Sequence, residues 1–350
     1  MLATEPARVE TPAVDYEVHV GDVLDAYGKW PTPASIISDG AYGLRLFPGD
    51  PPTIDGLVDW YRPHVEAWSK AAGAHTTLWF WNSELGWATV HPLLVENGWE
   101  YETAHIWDKG IGHIAGNVNG VSIRRFPVVS EVAVFYSRKL TFAIEDGTRL
   151  PAKVWMRHEW RRSGLPLTLT NEACGVKNAA TRKYFTQCHL WYMPPPEMIV
   201  RLADYATKHG RPTDRPYFTI DGTVAPSADE WAHLRYKWNH VHGLTNVWQT
   251  PTLAGAERVK APAGGALHAN QKPLALMTRI LAACTKPGDV VWEPFGGLCS
   301  ASYAAIELGR VPYAAENQIA FLGLARQRLE QAASIASGYG QQTLELVSEG

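Results

Sequence analysis

WEPFGGLCSASYAAIELGRVPYAAE, residues 292–316, contains the most informative pattern in the sequence. It has the pattern of an apolar strand, a Gly-Gly turn, a helix and a second strand that ends at an acid. Glycines in such a turn let a ligand approach the backbone, and an acid about 20 residues later can accept hydrogen bonds from ribose hydroxyls. Glu293 opens this turn, Gly296 and Gly297 form it, and Glu316 stands at that distance. The spacing predicts a βαβ unit that binds a nucleotide-like cofactor.

The chain before this unit alternates between strand-like and helix-like segments. Residues 53–72 and 91–98 have helical patterns, with Pro63 placed to kink the first. Strand-like patterns occur at 16–25, 34–43, 76–82, 101–110 and 131–138. After the middle of the chain the pattern resumes with a helix in 266–289, then 288–297, 300–309, 310–316 and a last helix at 321–331. This rhythm predicts an α/β fold with a Rossmann-like, mostly parallel sheet and helices on both faces.

A second motif lies some 250 residues before the first. The segment ASIISDGAYG, residues 34–43, is an apolar strand followed by Asp39, Gly40, Ala41 and Tyr42. Ligands bind at the carboxyl edge of open α/β sheets, and this segment places a carboxylate and an aromatic ring there. Taken alone, the same four residues are also ordinary turn chemistry.

The middle of the chain, residues 138–262, differs from both ends. It contains 18 Lys and Arg against 11 Asp and Glu, a net charge of +7, so the rest of a chain of net −3 carries −10. A basic segment on an otherwise acidic chain indicates a surface that faces a polyanion. Residues 165–185 predict two short helices joined at Gly175 and Val176, which resembles a helix-turn-helix. Its second helix would carry Lys177, Arg182 and Lys183.

Composition excludes several classes of protein. A hydrophobic share of 46% and a charged share of 19% are ordinary for a globular protein. No apolar run approaches the roughly 20 residues of a membrane span, and the amino terminus lacks the apolar core of a secretory signal. The four cysteines form no CxxC pair, and His240 and His242 belong to no repeated ligand spacing, so no metal is predicted. We expect a soluble, reduced, cytoplasmic protein.

Together these segments resemble the SAM-dependent amino-methyltransferases of DNA, the adenine-N6 and cytosine-N4 family, where SAM is S-adenosylmethionine. The order corresponds to the permuted class, in which the catalytic motif precedes the cofactor motif. The resemblance implies a catalytic half at 1–138, a target-recognition domain at 139–262, a SAM-binding half at 263–335 and a tail at 336–350. The matching elements are GDVLD (21–25), IISDGAYG (36–43), TTLWFWN (76–82), IWDKG (106–110), EVAVFYSR (131–138), NQKP (270–273) and WEPFGG (292–297).

The resemblance also implies roles for single residues. Asp39 would accept a hydrogen bond from the target amine, helped by the carbonyl of Gly40 next to Ala41, and Tyr42 would stack on the base. Glu316 would hold the ribose of SAM, and Asp22 would accept from its adenine amine. The other residues expected at the cofactor are Ser38, Gln271, Lys272, Pro273, Glu293, Phe295, Gly296 and Gly297. Residues expected at double-stranded DNA are Arg157, Arg161, Arg162, Lys177, Arg182 and Lys183.

Two departures from the family pattern bear on activity and target. Gly40-Ala41 replaces the usual Pro-Pro, which puts catalytic pre-organisation in doubt, and Glu293 stands where Asp is usual. The favoured interpretation is methyl transfer to adenine N6, by a monomer or a homodimer. Cytosine N4 is the alternative target, because Ser38 before Asp39 permits a shifted alignment. The sequence is also compatible with a DNA-binding protein that keeps SAM without catalysis, and with an RNA or small-molecule methyltransferase.

Overall fold

The structure, a computed structural model, describes residues 15–45, 47–114, 124–188, 190–261, 264–268 and 270–348, with side chains up to residue 336. The chain separates into two compact units, 1–137 with 237–350, and 138–236. The strands are β1 (Glu17–Val20), β2 (Ser35–Ser38), β3 (Thr77–Asn82), β4 (Trp99–Asp108), β5 (Ser130–Arg138), β6 (Thr141–Ala143), β7 (Arg149–Pro151), β8 (Val247–Gln249), β9 (Val290–Glu293) and β10 (Val311–Glu316).

The helices follow the same chain order. They are α1 (Leu57–Ala71), α2 (Glu84–Glu96), α3 (Ala152–Arg162), α4 (Thr170–Ala173), α5 (Ala180–Tyr184), α6 (Pro196–His209), α7 (Ala228–Leu234), α8 (Leu274–Cys284), α9 (Ser300–Glu307) and α10 (Ile319–Ser348). Pro63 lies inside α1, and α10 continues through most of the segment expected to be a tail. Among the helices of the described residues, none is long and apolar enough to cross a membrane.

The first unit is built on an eight-stranded sheet in the order β1-β10-β9-β2-β3-β5-β4-β8. The pairs β1–β10, β10–β9, β9–β2, β2–β3 and β4–β8 are parallel, and β3 pairs with β5 antiparallel. This confirms the predicted α/β fold with a mostly parallel sheet. Because β9 lies directly beside β2, with Ile36 opposite Trp292, the two motifs at the ends of these strands become neighbours. Residues some 250 positions apart therefore meet at one edge of the sheet.

The core of the first unit is rich in aromatic side chains. All six residues of β3 are buried, among them Trp79, Phe80 and Trp81. Helix α1 covers the sheet with a stripe of buried residues that includes Tyr61 and Trp68. Buried residues recur along α1 every three to four positions, as on one face of an amphipathic helix. Most of the largest fully buried side chains are tryptophans, so core packing accounts for many of the tryptophans in the sequence.

The second unit, 138–236, has its own core of buried aromatic and aliphatic side chains, including Trp155, Trp160 and Trp231. It begins where the insertion was expected to begin. Residues 237–262 were expected to belong to the insertion, but they fall in the first unit, where β8 pairs with β4 and Asn239 N donates to Ala283 O at 2.6 Å.

The helix-turn-helix expectation is met only in part. A 3-10 turn, Leu167–Leu169, leads into α4, and α5 follows after a short connection. The side chain of Asn171 accepts hydrogen bonds from the backbone N of Ala180 and of Thr181, which fixes where α5 begins. Lys177 was predicted on the second helix. It lies instead in the connection before it, and only Arg182 and Lys183 are on α5.

Candidate active site

The loop after β2 places Asp39 at the sheet edge. Ser38 ends the strand and is fully buried, whereas the side chain of Asp39 is 21% exposed. Asp39 and Gly40 line a pocket, and Ser38 is not among its lining residues. The carboxylate that the sequence singled out is therefore the one that a ligand can reach.

Side chains from elsewhere in the unit hold this loop in place. The carbonyl oxygen of Ala41 accepts hydrogen bonds from the Tyr61 hydroxyl at 3.0 Å and from Asn82 Nδ2 at 2.8 Å. The buried carboxylate of Asp50 accepts three more, at 2.8–3.1 Å, from the backbone N atoms of Tyr42, Gly43 and Leu44. Five hydrogen bonds thus restrain a loop that lacks the rigid Pro-Pro pair.

Gly40 is required by packing. A Cβ at this position would lie 2.7 Å from two ring atoms of Phe295 and 2.8 Å from the hydroxyl oxygen of Tyr61. Phe295 is itself held among the rings of Trp60, Tyr61 and His64, so it has little room to withdraw. A proline ring at position 40 would meet the same atoms. The Gly in place of Pro is therefore matched to the position of Phe295.

We expect Gly40→Ala to lower the free energy of unfolding by about 1–3 kcal/mol, the usual cost of overfilling a packed site. Urea denaturation followed by tryptophan fluorescence measures this change. Gly28→Ala is the matched control, because a Cβ on Gly28 meets nothing within 4 Å. Equal stability of the two variants would contradict the packing explanation.

Asp39 is part of a buried group of polar side chains. Lys272 Nζ lies 2.8 Å from Asp39 Oδ1 and 3.1 Å from the Tyr42 hydroxyl. That hydroxyl lies 2.9 Å from Asp39 Oδ1 and 3.0 Å from Glu131 Oε2, and it can donate its one proton to either. Burial and the two neighbouring carboxylates raise the pKa of Tyr42 well above its usual value, so the hydroxyl stays protonated.

The pocket beside Asp39 gathers several of the predicted cofactor residues. Its wall includes Asp22, Phe295, Gly297 and Glu316, which come from both ends of the chain. Glu316 Oε2 accepts from Gly297 N at 2.6 Å, and Oε1 accepts from Gln318 N at 2.6 Å. A carboxylate has about four acceptor sites, so Glu316 can accept further hydrogen bonds. Asp22 Oδ1 accepts from Leu24 N and thereby starts a short 3-10 turn at the pocket rim.

Glu293 does not reach this pocket, contrary to expectation. Its buried carboxylate accepts from Ala301 N at 3.0 Å and from both Ser302 N and Ser302 Oγ, and so caps the N-terminus of α9. Burial raises the pKa of Glu293 to about 7. Unsatisfied N–H groups at the first turn of a helix attract a nearby carboxylate, which explains the direction of this side chain.

The segment 271–273 leads into α8 and does not line the pocket beside Asp39. Gln271 binds the backbone of Val259 and Glu257, and Pro273 is the N-cap residue of α8. Gln271 and Lys272 line a second pocket, and Lys272 reaches Asp39 as described above. Gly296 does not line the pocket beside Asp39 either; its N donates to Ala315 O at 2.7 Å and ties the turn to β10.

The sequence did not single out several residues of the site. Among them, Trp60, His64 and His268 line the pocket beside Asp39, and Glu131 joins the polar group around Asp39. Burial lowers the pKa of His64 to about 4, so this ring is neutral at physiological pH. His268 stands four residues before Lys272, next to a segment that the sequence did single out, which is the signal that could have found it.

The basic residues predicted at DNA fall into two groups within the second unit. Arg161, Lys177, Arg182 and Lys183 are exposed and Arg157 is half-buried. Arg162 belongs to an internal network instead, because its guanidinium pairs with the fully buried Glu159 at 2.7 Å and donates to two backbone carbonyls. The structure therefore favours a structural role for Arg162.

One group of acids and a histidine in the described part of the chain has metal-like spacing. It consists of Glu145, His158 and Glu159. Arg162 and Arg215 pair with both glutamates at 2.5–3.3 Å, so positive charge already occupies the place of a cation. These residues form an ion-pair network.

Comparisons with known proteins give limited pairwise matches. The Type II methyltransferase M.HinfI of Haemophilus influenzae is 33% identical over 86 residues, which cover 25% of this chain and 24% of that protein. The Type II methyltransferase M2.MboI of Moraxella bovis is 26% identical over 145 residues, covering 39% and 46%. The matched segments thus span less than half the length of either relative.

Alignments with solved structures extend over most of the chain. The M1.HpyAVI–SAM complex aligns over 90% of this chain and 98% of that one, with 14% identity and a TM-score of 0.49. The cytosine-N4-specific PvuII DNA methyltransferase aligns over 94% and 95%, with 11% identity and a TM-score of 0.47. The model of the N6/N4 methyltransferase family, described as DNA methylase, matches residues 36–327. This match spans well over half of the chain, which therefore belongs to that family.

Proposed function

We propose that this protein transfers a methyl group from SAM to the exocyclic amine of a base in double-stranded DNA, with adenine N6 as the favoured target. One observation carries the proposal: Asp39 shares a single pocket with Asp22, Phe295 and Glu316. The catalytic and cofactor motifs come from opposite ends of the chain, and the neighbouring strands β2 and β9 bring them together. The family membership agrees with this activity.

The pocket residues fit SAM. SAM supplies a methyl group already activated by its sulfonium, so the protein has mainly to align a nitrogen lone pair with it. Glu316, buried and anchored by two backbone N–H groups, is placed to accept from ribose hydroxyls. Phe295 offers its ring to the pocket, and Gly297, with φ of +53°, brings its backbone to the pocket wall beside the ring of His268. Asp22 at the rim can accept from an adenine amine.

Asp39 is the proposed acceptor for the target amine. An exocyclic amine is conjugated with its ring and is a poor nucleophile. A carboxylate that accepts one of its hydrogens favours the more tetrahedral nitrogen and stabilises the positive charge that develops during transfer. Lys272 and Tyr42 fix the carboxylate without covering it, since the Asp39 side chain keeps 21% of its surface exposed.

Adenine is favoured over cytosine because Asp39, and not Ser38, lines the pocket. Acid-first catalytic motifs are typical of adenine enzymes, and Ser-first motifs of cytosine-N4 enzymes. Asp39 lines the pocket, whereas Ser38 is fully buried in β2, which speaks against the shifted alignment. Cytosine N4 is the alternative target.

The proposed role of Tyr42 differs from the one that the family motif implies. It is 5% exposed, and its hydroxyl lies among Asp39, Glu131 and Lys272. A flipped base can stack on so buried a ring only if the loop opens. We therefore assign Tyr42 chiefly to holding Asp39.

DNA contacts are assigned to the exposed cations of the second unit. Neutralising phosphates is the sequence-independent part of DNA binding, and the target base must leave the stack before it can react. The proposed contacts are the exposed Arg161, Lys177, Arg182 and Lys183, together with the half-buried Arg157 beside them in the sequence.

The proposed activity is tested by incubating the full chain with methyl-labelled SAM and, in parallel reactions, mixed-sequence duplex DNA or mixed-sequence RNA. Each nucleic acid is then digested to nucleosides and analysed by mass spectrometry. Label in N6-methyladenine is expected. Label in N4-methylcytosine would shift the assignment to the alternative target, and label in RNA alone, or in no nucleic acid, would overturn the proposal.

Glu316→Ala should weaken SAM binding by about 1–3 kcal/mol, the cost of leaving ribose hydroxyls without a charged partner. Isothermal titration calorimetry measures this loss. Glu330→Ala, an exposed glutamate on α10, is the control and should bind SAM as the wild type does. Unchanged affinity in Glu316→Ala would mean that SAM binds elsewhere.

A further inference from the structure

Four charged side chains around the catalytic loop alternate in sign. Lys109 Nζ lies 2.5 Å from Glu131 Oε1, Lys272 Nζ lies 3.4 Å from Glu131 Oε2, and Lys272 Nζ lies 2.8 Å from Asp39. The side chains of Lys109, Glu131 and Lys272 are 10%, 9% and 4% exposed. Charges on side chains this deeply buried interact strongly, and a buried charge without a partner is destabilising. Their charges sum to zero, so the removal of any single one of them leaves a net charge.

We propose that Glu131 is a positioning residue for the transfer reaction, which holds Lys272 and Tyr42 against Asp39 and balances the positive charge of Lys272. This inference rests on the proposed methyl transfer. It adds a residue on β5, outside the catalytic motif 36–43 and the cofactor motif 292–297, to the residues that serve the reaction. Lys109 completes the balance on the far side of Glu131.

Geometry supports the positioning role. Glu131 Oε2 accepts from Trp81 Nε1 at 2.7 Å and lies 3.0 Å from the Tyr42 hydroxyl, while Oε1 faces Lys109. Both carboxylate oxygens are thus fixed from neighbouring strands and loops. Tyr42 and Lys272 are two side chains that contact Asp39, and Glu131 contacts both of them. A displacement of Glu131 must therefore move the partners of the catalytic carboxylate.

Charge balance gives a second reason. During transfer, positive charge develops on the amine next to Asp39, and a nearby cation opposes it. Lys272 is such a cation, and Glu131 offsets it. Burial raises the pKa of Glu131, but the neighbouring Lys272 and Lys109 outweigh burial and hold that pKa at about 2. Glu131 therefore carries its negative charge throughout the physiological range.

The test compares one single and one double variant. Glu131→Gln keeps the shape and an acceptor for Trp81 but leaves an excess positive charge. We expect kcat to fall about 10- to 100-fold, as for a catalytic group moved from its productive position, with KM for SAM nearly unchanged. Lys109→Met combined with Glu131→Gln restores neutrality, so this double variant should be faster than Glu131→Gln alone.

The pH dependence provides a readout that a purely structural role would not change. Burial lowers the pKa of Lys272, and the carboxylates of Asp39 and Glu131 outweigh it and raise that pKa. Without Glu131 the pKa of Lys272 falls, and loss of its proton removes the excess charge. The rate of Glu131→Gln should therefore rise with pH in the alkaline range, where the wild type shows no such rise. The titratable and charged groups that face Lys272 are Asp39, Tyr42, Lys109, His113, Glu131, Arg258 and His268.

Lys237→Met is the control, because it breaks the Lys237–Asp289 ion pair of the same unit away from the site and should leave kcat unchanged. SAM binding by calorimetry confirms that each variant is folded. A double variant slower than Glu131→Gln, or a Glu131→Gln variant with wild-type kcat, would overturn the inference. If the wild type itself transfers no methyl group, the proposed function fails instead, so the two failures are distinguishable.

Discussion

Asp39→Asn is expected to lower single-turnover methyl transfer by about 100-fold or more, the usual loss when a group that stabilises transition-state charge is removed. Asparagine has the same shape but no negative charge, and one of its two terminal atoms is a donor. It can accept only weakly from the target amine, and its NH₂ group cannot pair with Lys272. SAM affinity should change little, because the proposed ribose contact is made by Glu316.

The measurement is the rate of label transfer with enzyme in excess over DNA. Asp55→Asn is the control, since Asp55 is exposed in the 3-10 turn before α1 and should transfer at the wild-type rate. Wild-type turnover in Asp39→Asn would contradict the proposed role of Asp39. Loss of turnover together with loss of SAM binding would instead place Asp39 among the cofactor residues.

Glu159→Ala should lower the free energy of unfolding of the second unit by about 3–5 kcal/mol, the cost of removing one partner from a buried ion pair. Glu159 is fully buried, pairs with Arg162 at 2.7 Å and Arg215 at 2.5 Å, and accepts from Phe218 N at 2.8 Å. Its removal takes the buried carboxylate away from two largely buried guanidinium groups and from the N–H of Phe218.

Urea denaturation compares this variant with Glu145→Ala, a matched control on the same two arginines. The side chain of Glu145 is 44% exposed, so its loss should cost no more than about 1 kcal/mol. Similar losses in both variants would mean that Glu159 is no more important than a surface partner. Arg162 was predicted from the sequence to contact DNA. Its ion pair with the buried Glu159 places it instead in the core of its unit.

Much of the fold could be predicted because it depends on local patterns. The apolar strands β2 and β9 and the glycine turn between β9 and α9 show directly in the sequence, and the parallel pairing of these strands then places Asp39 near Phe295. What could not be predicted depends on side-chain partners. The Lys272–Asp39 pair joins residues 233 positions apart, and nothing local marks Glu131 in β5 as its counter-charge.

Two errors have the same origin. Glu293 precedes a glycine turn and could face either the ligand or the first turn of α9, and the N–H groups of Ala301 and Ser302 decide for the helix. Lys177 follows Gly175 and was placed on a helix, but Asn171 caps that helix at Ala180. Competing local hydrogen bonds determined both outcomes, and composition and periodicity do not contain that information.

A crystal structure of the full chain with S-adenosylhomocysteine would show whether the pocket beside Asp39 holds the cofactor, since this product keeps the adenosine and the sulfur position of SAM. We expect the ribose hydroxyls on Glu316, the adenine at Asp22 and the sulfur facing Asp39. A ligand bound instead in the pocket lined by Lys109, Arg258 and Gln271 would contradict this expectation.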